Sequence, residues 1–210
     1  MYTHTVNDFI DYDGTQLRSH FIYSQSKRFG DGILIFLGKM EVTPEGHMVD
    51  LEDVRNDDGI FSPFALQFII EHFGISLDTA VYRQRLFMSC ALEILSEISE
   101  TVNRLRLEGD DLVLGWGKEK KKLSVSIATK SPTSTLIHTG INIVSVPQGK
   151  VKVPTLCLAD LVGHFRVNLN AFEKLSDFTK IQEIGIEIAD LYKFEVEAIN
   201  IAQSKVTAVP

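Results

Sequence analysis

The run Gly32-Ile33-Leu34-Ile35-Phe36-Leu37-Gly38 constrains the fold of this chain more than any other stretch. It is continuously apolar, short, and punctuated by glycine at both ends, which predicts a buried strand with apolar cover on both faces. Cover on two faces demands further layers of secondary structure around it. A chain of 210 residues, 44% of them hydrophobic, can build such a core without a metal or disulfide.

The segments around this strand predict those layers. Asp13-Gly14 marks a turn, and Phe21, Ile22 and Tyr23 begin an element closed near Phe29-Gly30. Ser62-Pro63 reads as a capped helix start, with Phe64, Phe68, Ile69 and Ile70 on one face and Gly74 as the stop. A longer helix is expected from about Tyr82 to Glu100, because Phe87, Ala91, Ile94, Leu95 and Ile98 recur at three- and four-residue spacing. The period then changes to two. Leu105 and Leu107 alternate with Arg104 and Arg106, Leu112 to Leu114 follow a Gly109-Asp110-Asp111 turn, and Leu123 to Ala128 and Thr135 to Val144 complete a set of strands. Their short links predict an antiparallel meander. From Asn168 the pattern returns to helix, with Phe172, Leu175, Ile181, Ile184, Ile188 and Leu191 as anchors. The expected architecture is one α+β domain over residues 1–210, an antiparallel or mixed sheet covered by helices, with a helical C-terminal third.

Charge and cysteine content exclude several classes of function. Lys and Arg number 21 against 28 Asp and Glu, a net charge of −7, which argues against generic binding to nucleic acid or anionic membrane. Cys90 and Cys157 both sit in apolar runs and read as buried free thiols rather than a disulfide framework or zinc set. The polar start Met1-Tyr2-Thr3-His4 is unlike a signal peptide, and no apolar run reaches membrane-spanning length, so the cytoplasm is the expected compartment. His47 with Asp50, Glu52, Asp53, Asp57 and Asp58 lacks a recognised ligand spacing, and a solvated acidic loop without metal is expected there.

The stretch from Gly109 to Asn142 carries the chemical signal. Asp110-Asp111-Leu112, Lys122-Leu123-Ser124 and Gly140-Ile141-Asn142 resemble the strand, Lys-Leu and Gly-x-Asn motifs of the biotin–lipoate protein ligases, relatives of class II aminoacyl-tRNA synthetases. In those enzymes the lysine contacts the acyl carboxylate and the phosphate of the acyl-adenylate. A lysine is a compact charge suited to two oxyanions, and an asparagine can fix a polar ligand edge as donor and acceptor. The chain departs from the pattern at Asp110, which stands where the ligases carry asparagine. It also lacks the arginine- and glycine-rich N-terminal loops of both ligase types, having Asp13-Gly14-Thr15-Gln16-Leu17-Arg18-Ser19-His20 in that region.

Over nearly its whole length the chain resembles a prokaryotic family known as domain of unknown function 366. The resemblance rests on Asp13-Gly14 with Arg18-Ser19-His20, Met48-Val49-Asp50 with Glu52-Asp53, Gly109-Asp110-Asp111, Lys122 to Thr129, and His138-Thr139-Gly140-Ile141-Asn142. It implies the biotin/lipoate-ligase-like α+β fold.

These observations define the candidate site. Lys122 is the candidate catalytic residue, neutralising phosphate charge. Arg18, Ser19 and His20 near a turn are candidates to cradle an anion, and Asp50 and Asp53 to pair with Arg18 or Lys122. Asp110 and Asp111 complete the motif set. Ser124, Ser126 and His138 are expected to line one sheet face, with Asn142 orienting the ligand beside His138. The expected ligand is a small anionic or nucleotide-like molecule, and ATP is the cofactor that carboxylate activation would use. A non-catalytic binding or assembly module of the same fold is the alternative. A tRNA-binding or tRNA-modifying role is a further one, supported by Arg104, Arg106 and Lys118 to Lys122.

Overall fold

The structure, a computed structural model, describes residues 1–98, 105–161 and 175–209. The expectations placed on Glu100, Arg104, Asn168 and Phe172 lie outside the described residues.

The order of elements is β1 (Tyr2–Thr5), α1 (Phe21–Ser26), β2 (Gly32–Val42), α2 (Leu51–Asn56), β3 (Ile60–His72), α3 (Leu77–Ile98), β4 (Leu105–Glu108), β5 (Asp111–Leu114), β6 (Lys121–Lys122), β7 (Ser124–Lys130), β8 (Thr135–Asn142), α4 (Leu158–Leu161) and α5 (Leu175–Gln203). A five-stranded sheet has the order β1-β2-β3-β8-β7, and β4-β5-β6 form a separate three-stranded sheet. In the larger sheet β1 runs parallel to β2 and the other neighbours are antiparallel. The α+β class with a mixed sheet and helical cover matches the sequence reading.

The glycine-bounded run forms β2, buried on both faces as expected. Ile33, Ile35 and Leu37 join a core shared with α3 and α5, while Leu34, Phe36 and Met40 join one on the opposite face with Tyr12, Phe21 and Ile22. α5 lies close to the sheet at Gly185, where a methyl group would stand 3.0 Å from Ile35 Cγ2 and 3.1 Å from Leu66 Cδ1. A second tie between α5 and the sheet is polar. The buried His72 ring bridges Asp31, 2.9 Å from Nδ1, and the Tyr192 hydroxyl, 2.7 Å from Nε2. Burial raises the Asp31 carboxyl, but the hydrogen bonds from His72 and the Phe73 N–H outweigh it and hold that carboxyl below its ordinary range.

The helix expected from Ser62 to Gly74 is instead the 13-residue strand β3, between β2 and β8. Phe64 and Phe68 are four residues apart, a spacing that satisfies a helical face and a period of two alike. Phe64, Leu66, Phe68 and Ile70 face the helices, Ile69 packs on the other side, and burial on both faces erases the alternation that would have identified a strand. Pro63 sits at a bulge: Gly38 pairs with Ala65 and Met40 with Ser62, so Pro63 and Phe64 together oppose Lys39. A bulge is one of the few places where a strand tolerates a residue without an N–H.

Two further expectations are corrected. The strands from Leu105 onward do not form one meander, because β8 pairs with the distant β3 and the β4-β5-β6 ribbon stands apart. The acidic segment after Asp50 is not loop throughout. Asp50 caps the short helix α2, its carboxylate accepting the Glu52 N–H at 2.8 Å and the Asp53 N–H at 3.4 Å. The long helix α3 begins at Leu77, before Tyr82, because Ser76 accepts the Thr79 N–H at 3.4 Å and caps it. Phe87, Ala91 and Leu95 are buried, with Ile94 and Ile98 against the same core.

Candidate functional site

Lys122 ends the two-residue strand β6, and its backbone is fixed on both sides. Val113 of β5 is its ladder partner, its N–H donates to the Pro154 carbonyl at 2.9 Å, and its carbonyl accepts the Leu156 N–H at 2.8 Å. Asp111 opens β5 just after a two-residue turn in which Gly109 has φ +67°, a conformation that favours glycine. This places the Lys122 Nζ 2.7 Å from the Asp111 carboxylate.

Lys122 stands in the wall between two cavities, and Asp111 lines the larger of them. The larger, about 320 Å³, is floored by Tyr12, Val125, Ile127 and His138 and walled by α2 with Asp50, Glu52, Asp53 and Asn56. Asp110, Asp111 and Lys122 close another side. The smaller, about 90 Å³, is lined by Met40, Phe61, Asn142, Val151 and Thr155 among others. Asp53, Ile60, Lys122 and Val125 belong to both. Gly140 preserves the floor of the smaller one, since a Cβ there would lie 2.7 Å from Met40 Sδ.

The larger cavity is acidic. Asp50, Glu52, Asp53, Asp110 and Asp111 line it against the single ammonium of Lys122. Asp110 is held from outside by Gln84 Nε2 at 2.8 Å and Arg85 Nη1 at 3.3 Å. Burial, reinforced by Asp50, pushes the Asp53 carboxyl above its ordinary range despite Lys122. Burial likewise raises Asp111, outweighing the adjacent ammonium. His138 is buried and held neutral, its pKa lowered to about 3 by desolvation.

The structure therefore brings Lys122, Asp50, Asp53, Asp110, Asp111, Ser126 and His138 around one cavity, with Ser124 and Asn142 in the adjoining one. It does not bring Arg18, Ser19 and His20 there. Arg18 Nη1 donates to the Thr15 carbonyl at 2.9 Å, and Arg18 lines an open hollow that shares His47, Met48 and Val49 with the larger cavity without entering that cavity's own lining. Ser19 donates to Ser131 Oγ at 2.6 Å, joining the β7–β8 turn, and the His20 N–H donates to the buried Glu71 carboxylate at 2.9 Å. Glu71 also accepts from Ser134 Oγ at 2.6 Å, so these groups fasten loops to the sheet.

The shared face expected for Ser124, Ser126 and His138 is also corrected. Ser126 stands opposite Thr139 and receives Gln84 Nε2 of α3 at 3.1 Å, while Ser124 Oγ accepts the Leu112 N–H at 2.9 Å. His138 stands opposite Ile127, so it points to the other side of the sheet together with Asn142. The pairing register decides this, and it is not contained in either strand alone. Asn142 Nδ2 donates to the Leu156 carbonyl at 3.2 Å.

The sequence reading passed over Tyr12, Gln67 and Ile127. Tyr12 follows no motif, and it reaches the floor only through its bridge to Met40. Among the described residues no group of three or more His, Cys, Asp or Glu side chains could hold a metal ion. Cys90 and Cys157 are buried and free, and burial pushes the Cys90 thiol up to about 12. No helix among the described residues is long and apolar enough to cross a membrane.

The chain matches the family described as domain of unknown function 366 (DUF366) over residues 1–207. It belongs to that family. An uncharacterized protein of Methanocaldococcus jannaschii is 38% identical over 154 residues, covering 70% of this DUF366 chain and 66% of the relative, so the alignment spans just under two thirds of that relative's length. A protein of unknown function from Pyrococcus horikoshi has a similar structure, with TM-score 0.74, 28% identity, and coverage of 99% of this chain and 100% of that one. The biotin protein ligase of Aquifex aeolicus aligns with TM-score 0.54 at 12% identity, over 94% of this chain and 69% of the ligase. A complex of that ligase with biotin and ATP aligns at 0.51, with 13% identity and coverage of 91% and 70%. The bipartite lipoate protein ligase of Thermoplasma acidophilum aligns at 0.52, with 11% identity and coverage of 93% and 83%. The DUF366 chain thus has the α+β fold of the biotin and lipoate protein ligases, which is the class II synthetase-like fold.

Proposed function

We propose that the two adjoining cavities bind one small organic molecule whose anionic group rests against Lys122, and that the chemistry served is ATP-dependent activation of a carboxylate. The observation that carries this reading is the place of the Lys122 ammonium in the wall common to both cavities. A ligand lying across that wall presents its acidic group to the lysine and a different end to each chamber. The fold supports the reaction class, since its neighbours include ligases of biotin and lipoate, one of them in complex with biotin and ATP. Fold alone does not determine chemistry, which depends on the residues of the site.

Charge refines the ligand. Five carboxylates and one ammonium line the larger cavity, a poor setting for a fully ionised triphosphate. An acyl-adenylate suits it better, because its phosphate carries one negative charge. In the activation step a carboxylate oxygen bonds to the α-phosphorus of ATP and pyrophosphate departs with the electron pair of the broken P–O bond. Lys122 would stabilise the charge that develops on phosphorus-bound oxygen. The tRNA alternative gains no such observation, since Arg106 and Lys120 both pair with Glu108.

Native mass spectrometry of the purified protein, followed by calorimetry with AMP, ATP, biotin, lipoate and octanoate, tests the reading. Binding of an adenylate or carboxylate together with ATP–pyrophosphate exchange is expected. Binding without exchange supports the non-catalytic module, and folded protein that binds none of these compounds overturns the proposal. The raised Asp53 and Asp111 carboxyls add a pH signature. As pH falls from neutrality toward the ordinary carboxyl range, these groups take up protons before ordinary carboxyls do, and the cavity loses negative charge. Octanesulfonate, whose own charge is constant over this range, should therefore bind more tightly at the lower pH. Asp53→Asn should flatten the profile, and a parallel series in His47→Asn separates the carboxylates from the imidazole. Affinity that falls with falling pH contradicts the assignment.

A further inference from the structure

The floor of the larger cavity holds two aromatic side chains that the lysine site does not use. Tyr12 and His138 stack, with ring centroids 3.7 Å apart and planes within 6° of parallel, and they are only 4% and 2% exposed. A buried glutamine sets the tautomer of the histidine. Gln67 Nε2 lies 3.2 Å from the Gly38 carbonyl and 3.4 Å from the Lys39 carbonyl. Two carbonyl neighbours require the amide NH2 at that position, so it is the Gln67 oxygen that faces His138 Nε2 at 3.3 Å. The imidazole must therefore donate from Nε2, which leaves a lone pair on Nδ1.

Neither His138 Nδ1 nor the Tyr12 hydroxyl has a hydrogen-bond partner among the described residues. Both atoms are reached from the cavity rather than sealed beneath it, so each can meet water or a ligand there. Here both residues line the cavity, so its contents are the available partner. Val125 and Ile127 line the cavity together with the two rings, while Asp50, Glu52, Asp53, Asp110 and Asp111 line the rest of it. Two stacked rings with apolar neighbours suit a flat, uncharged group, and the carboxylates disfavour a second anionic one.

We propose that the Tyr12–His138 floor recognises an uncharged ring amide, its N–H donating to His138 Nδ1 and its carbonyl accepting from the Tyr12 hydroxyl. Gln67 acts as a positioning residue by keeping Nδ1 unprotonated. The inference rests on reading the cavity as a small-molecule site, and it names the chemical class of the ligand's other end, away from Lys122.

Uracil and 1,3-dimethyluracil are suitable probes, since they share shape but only the first has ring N–H groups. In the full chain carrying ¹⁵N-labelled histidine, the free protein should show His138 protonated at Nε2 alone. Adding uracil should move its Nδ1 resonance, while dimethyluracil leaves it in place. His138→Phe, which keeps a stacked ring, should weaken uracil binding at least about tenfold, and Tyr12→Phe by a smaller factor. Uracil binding without anion binding would overturn the proposed function alone, and anion binding without uracil binding would overturn this inference alone. Equal responses to both probes, no response to uracil, or a His138 protonated at Nδ1 in the free protein would overturn it as well. The labelled wild-type measurement decides the question even where a substitution fails to fold.

Discussion

Lys122→Met is expected to weaken binding of an anionic ligand such as AMP or octanesulfonate by roughly 10- to 100-fold. Methionine keeps the length and packing of the side chain and removes only the ammonium. A hydrogen bond to a charged group contributes about 1.5–3 kcal/mol, and each 1.4 kcal/mol is about tenfold in affinity. The loss falls on a cavity with no other lysine or arginine in its lining, so no neighbouring ammonium or guanidinium can take over. The same substitution leaves the Asp111 carboxylate without its 2.7 Å partner. Lys122 and Asp111 are 30% and 20% exposed, so water screens part of that change and the expected loss of stability is at most about 1 kcal/mol. Calorimetry together with urea denaturation separates the two effects. Lys152→Met provides the comparison, because Lys152 lines the smaller cavity but is 61% exposed and paired with Asp58. Its removal should leave anion affinity within about twofold. Equal effects at the two positions, or unchanged affinity in Lys122→Met, would reduce Lys122 to ordinary surface charge.

Gly38→Ala is expected to destabilise the protein by about 3 kcal/mol or more and to dismantle the floor of the cavity. The cause is a close approach of two backbones. A Cβ on Gly38 would lie 2.1 Å from the Ile10 carbonyl oxygen and 2.7 Å from its carbon. No rotamer change relieves contact with a main chain. The segment involved runs along β2 on hydrogen bonds from Ile10 N–H to the Leu37 carbonyl at 2.9 Å and from Tyr12 N–H to the Lys39 carbonyl at 2.8 Å. Pushing that segment outward draws Tyr12 away from His138. Denaturation should show a lowered urea midpoint, and tyrosine-edited spectra should show loss of the ring stack. Gly140→Ala is the informative contrast, since its added methyl meets the flexible end of Met40 rather than backbone. It should cost about 1 kcal/mol. If Gly38→Ala proves as mild as Gly140→Ala, the rigid contact between the segment and β2 is refuted.

Parts of this architecture were legible without coordinates because their signals are local. A short apolar run bounded by glycines can be buried only as an interior strand, and β2 is one. α3 and α5 repeat their apolar residues over many turns, and Ile181, Ile184 and Ile188 are buried as their spacing predicts. The strand β3 was not legible. Its Phe64 and Phe68 fit either period, and Pro63 imitates a helix start where the sheet has a bulge.

The candidate site divides in the same way. Residue types and the Lys-Leu and Gly-x-Asn motifs marked Lys122, Asp111, His138 and Asn142, and the structure gathers these around two adjoining cavities. Arg18-Ser19-His20 looked equally suited to an anion, yet Arg18 lines a neighbouring hollow, Ser19 bonds Ser131, and the His20 backbone bonds Glu71, so none of the three enters the lining of either cavity. Which face of the sheet Ser126 and His138 occupy depends on the register of β7 against β8 and on which layer covers each side. Tyr12 is brought beneath His138 by a bridge between residues 28 positions apart, Tyr12 and Met40. The sequence by itself determined the fold class, the interior strand and the long helices, because periodicity and turn chemistry act over a few residues. Only the tertiary structure decided the sheet order, the acidic lining and the Tyr12–His138 floor, because those depend on long-range pairings that no local pattern encodes.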